Sequence, residues 1–519
     1  MQGRKNFTQK LFYQIQLSDL VPQNNFYRRL DKILNLGFLY KTTAKYYGTE
    51  GQESIDPVVF FKICLVGYLN NIISDRRLIE FCSDSLSIRF FIGYDMDETL
   101  PWHSTISRTR QLYEEDVFNG VFHTILAQCI DAKLVAGHTQ AIDSAFIKAN
   151  ASMDSLELKV PKDSLDEHLQ KVRHISQMDK EKPCRKAKNN KATDDQKIIS
   201  ASPSKLNDIK TRQQKWAKDQ DQRPGAGNKG SKYTSNKTHY SPTDPDARIS
   251  VKPGKARKLN YYSQISVDTD HQIITQIQAD LADKKDNQYL QDLVANTKQN
   301  LKKSGLEIEK LLADAGYSSG ENYAWLEDQN IKSYIPPHGT YKGGPDGFEF
   351  IEDGNYWLCP DHKKVLFIKQ VVERGTLKNH YRTSVEDCRN CPLKESCLSK
   401  SQYSKKISIT AYRAEYERNN ERLAKNKYHK AKRMSTVEPV FGTLINFLGM
   451  RKINTIGLDQ ANKCMLLAAT AFNLKKLLKY ARKPRITMSN ILEIVENSTK
   501  NGLKKLFLYF FPTFTLQEA

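Results

Sequence analysis

No stretch of the 519-residue chain reaches the roughly 18 uninterrupted apolar residues that a membrane span needs. The opening residues, MQGRKNFTQKLFYQ, lack the apolar run of a signal peptide, which predicts a cytoplasmic protein. No repeat of fixed period is evident, which argues against solenoids and propellers. Apolar residues make up only 39% of the chain, a low share but one that still supports globular cores. Acidic charge is in deficit, with 59 Asp and Glu against 80 Lys and Arg, a formal net charge of +21. That balance favours a polyanionic partner, usually nucleic acid, over the plainer alternative of a lysine-rich solvated surface. The nine cysteines of a cytoplasmic chain should be reduced or metal-bound rather than paired.

What is present divides the chain into several parts, since 519 residues exceed one average core. Residues 1–136 read as a helical domain. In it "DPVVFFKICLVGYLNNI" (56–72) starts with an Asp-Pro pair suited to a helix N-terminus. A helix opening at Ser104 in "STISRTR" suggests a helix-turn-helix, with Ser104, Thr105, Arg108 and Arg110 as candidates to meet phosphates or bases. An ordinary capped helical bundle explains the same pattern equally well. The stretch 152–258 is polar and proline-dotted, with a strong basic excess. It reads as a disordered insert that could embrace DNA or simply be solvated.

Residues 137–340 look like a mixed α/β sheet. "HTQAIDSAFIKAN" is a strand that ends near Asp143, and "YYSQISVDTDHQIITQIQAD" is a pair of strands around the turn "DTDH". A helix over 285–305, a strand over 310–314, a helix over 320–330 and the strand "IKSYIPP" follow. Residues 341–410 form a Cys-rich interruption, 411–485 return to helix, and 486–519 are a tail whose "LKKLFLYFFPTF" reads as a docking segment.

Asp143 in "QAIDSAF" and Asp314 in "LLADAGY" each sit in a short apolar run followed by small residues. A buried carboxylate is costly unless paired or metal-bound, and ligands bind at strand ends in open sheets. A third acid, Glu438, lies in "MSTVEPVFGTL", where Thr436 is expected to cap a helix with Pro439 in its first turn. Three converging acids would make a hard oxygen site for Mg²⁺. Two such ions about 3.5–4 Å apart can activate an attacking oxygen and stabilise the leaving one at a phosphodiester.

Together "AIDSAFIKA", "DPDAR" (244–248), "ADAGYSSGEN" and "VEPVFG" resemble the DDE transposases of bacterial insertion sequences, over roughly residues 30–480. The resemblance implies a helical N-terminal domain and a ribonuclease-H-like catalytic core. It maps the catalytic triad onto Asp143 on the first strand, Asp314 just after the fourth and Glu438 on a later helix. It further implies Mg²⁺, with Mn²⁺ as substitute, double-stranded DNA at element ends and target, and a homodimer on paired ends at the nucleoid. The expected activity is cutting of element ends and their transfer to target DNA. The rivals are an inactive transposase-derived DNA-binding protein and a host Mg²⁺-dependent nuclease. One position departs from the family: Ile445 stands where a lysine is common. Arg433, Arg451 and Lys452 are the basic alternatives for a phosphate contact, with plain solvent exposure nearly as good an account.

Finally, "WLCPDH" and "EDCRNCPLKESC" carry Cys359, Cys388, Cys391 and Cys397, the last three spaced C-x2-C-x5-C. That spacing beside turn prolines suits a structural Zn²⁺, against the alternatives of four free thiols or an iron–sulfur cluster.

Overall fold

Asp56 opens the first long helix as that Asp-Pro pair predicts. Its carboxylate accepts from the Val58 and Val59 amides at 2.6 and 3.1 Å, and Pro57 occupies the first turn, where no amide donor is needed. The computed structural model describes residues 16–481 apart from 49, 51–53, 159–234, 237–238, 251–255, 340, 342, 374 and 400. Most of the basic insert, Cys184 and the tail 486–519 lie outside the described residues. By contacts the chain divides into a large unit, 1–474, and a short one, 475–519. The described part of the short unit, residues 475–481, is the last turns of a helix.

Eight helices among the described residues precede the first strand: α1 (Leu17–Leu20), α2 (Phe26–Ile33), α3 (Phe38–Thr43), α4 (Pro57–Leu69), α5 (Asp75–Asp84), α6 (Leu86–Ile92), α7 (His103–Leu112) and α8 (Glu115–Asp131). Their core is aromatic. Phe60, Phe61, Tyr113 and Phe118 are fully buried, with ring centroids 5.0 Å apart for Phe60 and Phe61 and 5.4 Å for Phe60 and Tyr113. Each such side chain contributes about 1.5–3 kcal/mol by leaving water.

The larger sheet is mixed. Its strands are β1 (Thr139–Lys148), β4 (Arg248–Ser250), β5 (Lys258–Asp268), β6 (Ile274–Leu281), β7 (Lys310–Leu312) and β8 (Lys332–Tyr334). β2 (Glu157–Leu158) and β3 (His239–Tyr240) pair separately, so both flanks of the basic stretch are strands. In the sheet, β6 and β4 pair antiparallel with β5, β5 pairs antiparallel with β1, β1 is parallel to β7 and β7 parallel to β8. Helices α9 (Leu290–Lys302) and α10 (Gly320–Asp328) supply the crossovers that parallel neighbours require. β5 is buried along all but its first residue, as a strand covered on both faces should be. The expected end of β1 near Asp143 is corrected: the strand runs five residues further, because Ile147 and Ala149 still have core to fill and Phe146 packs on Tyr262.

A second sheet is a five-stranded antiparallel meander in the order β13-β12-β11-β10-β9. It comprises β9 (Glu349–Ile351), β10 (Tyr356–Leu358), β11 (Lys364–Glu373), β12 (Thr376–Arg382) and β13 (Lys406–Thr410). Between β12 and β13 lie two short helices, α11 (Val385–Arg389) and α12 (Lys394–Cys397). Trp357, Val365, Tyr381, Ile407 and Ile409 form its own small core. Three helices close the chain: α13 (Arg413–Lys425), α14 (Tyr428–Phe447) and α15 (Leu458–Ala481).

α14 packs on β1, β5 and β7 and differs from expectation at its start. It begins eight residues before Thr436, so Thr436 is no cap; its hydroxyl donates back to the Lys432 carbonyl at 2.7 Å. Pro439 is therefore internal, and it cannot donate to the Ser435 carbonyl four residues earlier. The side-chain amide of Gln272, from the β5–β6 turn, donates to that carbonyl instead, at 2.9 Å. "DPDAR" is structural. Asp244 accepts from Tyr261 at 2.6 Å and from the Gly457 amide at 3.2 Å, Asp246 accepts from the Leu458 amide at the start of α15, and Arg248 pairs with Asp283.

α15 also covers the outer edge of β6. Asn473 accepts from the Ile274 amide and donates to its carbonyl, at 3.0 and 2.9 Å, and Asn462 accepts from the Ala279 amide at 2.8 Å. On the helical domain, the buried ammonium of Lys463 donates to the Arg110 and Tyr113 carbonyls at 3.2 and 2.7 Å.

Candidate active site

The site begins where β1 and β7 run side by side in parallel. Ala141 faces Leu312 in that register, so Asp143 and Asp314 lie two residues beyond a matched pair on adjacent strands. After Leu312 the chain leaves the sheet and turns through a one-turn helix, Ala315–Tyr317. Asp314 caps it, accepting from the Gly316 amide at 2.8 Å. That turn needs its glycine: a β-carbon at Gly316 would fall 3.0 Å from Asp314 Oδ1 and 2.8 Å from Asp286 Oδ2.

Asp286 thus joins the group from the loop after β6, on the far side of Gly316. Its Oδ1 accepts from the Ser144 hydroxyl at 2.6 Å, and Ser144 directly follows Asp143. Sequence reasoning missed Asp286 because "DKKDNQYL" reads as an ordinary helix start, and it does begin a one-turn helix. The signal available was an acid placed one residue after a lysine pair at the end of a strand–loop unit. Tyr262 and Tyr317, both buried, wall the site, and Tyr317 donates to Gln264. Burial raises both hydroxyls, and the Asp286 carboxylate adds to the rise in each.

Burial pushes the Asp143 carboxyl up to about 6, and the nearby Asp314 carboxylate adds to that rise. Two groups oppose it: the Ser144 amide, which donates to Asp143 Oδ1 at 2.8 Å, and Arg433, whose guanidinium donates to Oδ2 at 3.0 Å. Arg433 comes from α14 and is mostly buried, so it is a partner of the acid rather than a solvated surface charge.

Glu438 stands elsewhere. Five residues beyond Arg433 on a helix means about 140° around the axis and about 7.5 Å along it. The buried face of α14 carries Thr436, Val437, Val440, Phe441 and Leu444, and Glu438 is exposed. The structure therefore brings Asp143, Asp314 and Asp286 together and leaves Glu438 facing solvent. Among the described residues no three His, Cys, Asp or Glu side chains stand close enough to hold a metal ion as they are.

The remaining candidates sort by burial. Arg110 is buried and forms a two-pronged ion pair with Asp75, at 3.0 and 2.7 Å, so it is corrected from a DNA contact to a structural brace between α5 and α7. Ser104 and Thr105 are half-buried and Arg108 is exposed on the same helix, which starts at His103. Arg451 is exposed and donates to Asn446, while Lys452 is half-buried and its backbone bridges to Lys148. Ile445 is half-buried. Cys359, Cys388, Cys391 and Cys397 line one cavity of about 310 Å³ beside the second sheet.

Comparison with known families adds two matches. Residues 15–112, the helices α1–α7, match the family described as Transposase domain (DUF772), and residues 358–478 match the family described as Transposase DDE domain. No curated protein matches the chain. Glu438 lies within the second match, whereas Asp143, Asp286 and Asp314 lie outside both. The two matches together support an insertion-sequence DDE transposase. No helix among the described residues is long and apolar enough to cross a membrane.

Proposed function

We propose that the protein cuts DNA at the ends of its element and joins those ends to target DNA, with Asp143, Asp314 and Glu438 as the catalytic acids. The observation that carries this reading is the placement of Asp143 on β1 and of Asp314 just past the end of its parallel neighbour β7, close enough for the Asp314 charge to raise the Asp143 carboxyl. The sheet supports a ribonuclease-H-like core: a three-strand antiparallel meander, β1, β5 and β6, followed by two crossover strands, β7 beside β1 and β8 beside β7.

The donor set fits divalent magnesium. The groups are carboxylate oxygens, hard and anionic, and their mutual repulsion is what a cation would relieve. Mg²⁺ bound there would activate the attacking oxygen and stabilise the leaving oxygen of a phosphodiester. The chain's own residues do the rest. Gly316 leaves room between Asp314 and Asp286, and Ser144 fixes Asp286. Arg433 holds Asp143 in its charged form and sits where a phosphate beside that acid would meet a guanidinium. Tyr262 and Tyr317 keep water from the back of the site. Glu438, exposed on α14, would join the set through a movement of that helix when metal and DNA bind. Paired ends require two copies, so the working form is a dimer on double-stranded DNA.

The test is nicking of a duplex carrying the inverted repeat that flanks the reading frame. Asp143→Asn and Asp314→Asn should each lower Mg²⁺-dependent nicking by on the order of 10³-fold while end binding persists. Full cleavage by either variant overturns the assignment.

A further inference from the structure

Between β12 and β13 the chain runs through α11 and α12, helices of five and four residues, neither of which buries a residue. Helices that short are not stable in water by themselves, and this segment has no core to hold it. Yet it folds against the β10–β11 hairpin around one cavity, lined by Cys388, Cys391 and Cys397 from the segment and by Cys359 from the hairpin. The other cysteines among the described residues, Cys64, Cys82, Cys129 and Cys464, are buried in the helical cores.

The hairpin turn is shaped around its sulfur. His362 takes a left-handed backbone conformation, φ 55°, its amide donates to the Cys359 carbonyl at 2.8 Å, and the Lys363 amide donates to Cys359 Sγ at 3.3 Å. An amide aimed at sulfur is a contact that a metal-bound thiolate accepts. Thr383 Oγ1 lies 3.0 Å from Cys388 Sγ. Lys363, Lys394 and Lys405 line the same cavity, and Lys405 donates to the Cys397 carbonyl at 3.0 Å.

We propose that Cys359, Cys388, Cys391 and Cys397 bind one structural Zn²⁺ that clips residues 383–405 to the hairpin. The four thiols give up their protons to solvent on binding, and the ion is neither oxidised nor reduced. They close on the ion from the cavity walls, an adjustment that short helices with no buried residues allow. The carboxylate site plays no part.

The test uses the full chain, purified with reductant and without chelator, with metal counted by mass spectrometry. About one zinc per chain is expected, falling about tenfold in Cys388→Ser/Cys391→Ser and unchanged in Asp143→Asn/Asp314→Asn. Cobalt in place of zinc should give the charge-transfer and visible bands of a tetrahedral thiolate site. Where the cysteine variant fails to fold, organomercurial titration of the wild-type chain decides: zinc should leave in step with the modification of four thiols. Limited proteolysis should then cut within 383–405. A wild-type chain that carries no zinc, carries iron, or loses zinc in the aspartate variant while keeping it in the cysteine variant overturns the proposal. The first two results leave the nicking assay untouched.

Discussion

A methyl group at Gly316 is a small probe of the carboxylate arrangement. Gly316→Ala places a carbon 2.8 Å from Asp286 Oδ2 and 3.0 Å from Asp314 Oδ1, where ordinary contact begins at 3.4 Å. Each carboxylate must then move by about half an ångström. The backbone itself does not object, since Gly316 is not among the residues of positive φ. Alanine there restricts the unfolded chain and stabilises by about 0.4–1 kcal/mol, against a clash borne by two side-chain ends, so overall stability should change by no more than about 1 kcal/mol. Function should change more. Misplacement of about 1 Å costs on the order of 10²-fold in rate, so about half that displacement at two acids should cost about tenfold. The assay is nicking of an end duplex across a Mg²⁺ titration, with thermal unfolding of the same preparation. A variant that melts like the wild type and nicks at the wild-type rate throughout the titration refutes the idea that Asp286 and Asp314 act together around this glycine.

Arg110→Met leaves the mostly buried Asp75 without its partner and should cost about 3 kcal/mol in denaturant unfolding. Arg108→Ala, on the exposed face of the same helix, should change stability by less than about 0.5 kcal/mol and weaken end binding; equal stability losses in the two variants would contradict the division of roles. Lys463 has its ammonium pushed down by burial from 10.5 to about 8. Between those values the unfolded chain holds the extra proton, so the native state gains stability as pH rises from 8 towards 10.5, by up to about 3 kcal/mol. The stability difference between wild type and Lys463→Met should therefore shift across that window, and a flat difference would show that the ammonium is not desolvated as described.

Local features were legible in the sequence. The β5–β6 pair around "DTDH", the Asp-Pro start of α4 and the strand–helix alternation from 285 to 334 all rest on patterns within a few residues of each other. What escaped depends on distant partners. Arg110 looks like any helix arginine until Asp75, 35 residues earlier, comes beside it. Asp286 looks like a helix start until Ser144 arrives from β1 and Gly316 from the turn after β7. Pro439 looks like a first-turn residue until Gln272, far away in the chain, takes over the bond it cannot make. Periodicity also sets where a strand can start better than where it stops, which is why β1 continues past Asp143.

The covering of β6 has a consequence for synthesis on the ribosome. The strand's edge is completed by side chains 183 and 199 residues downstream, Asn462 and Asn473. At about 5–20 residues per second that leaves roughly 10–40 s in which the sheet is made and its edge is bare. An exposed edge is a template for pairing with another chain. Nascent chains translated from neighbouring ribosomes on one message would carry that edge at the same time. Slowing elongation between codons 281 and 473 should therefore lower soluble yield, without altering the finished protein.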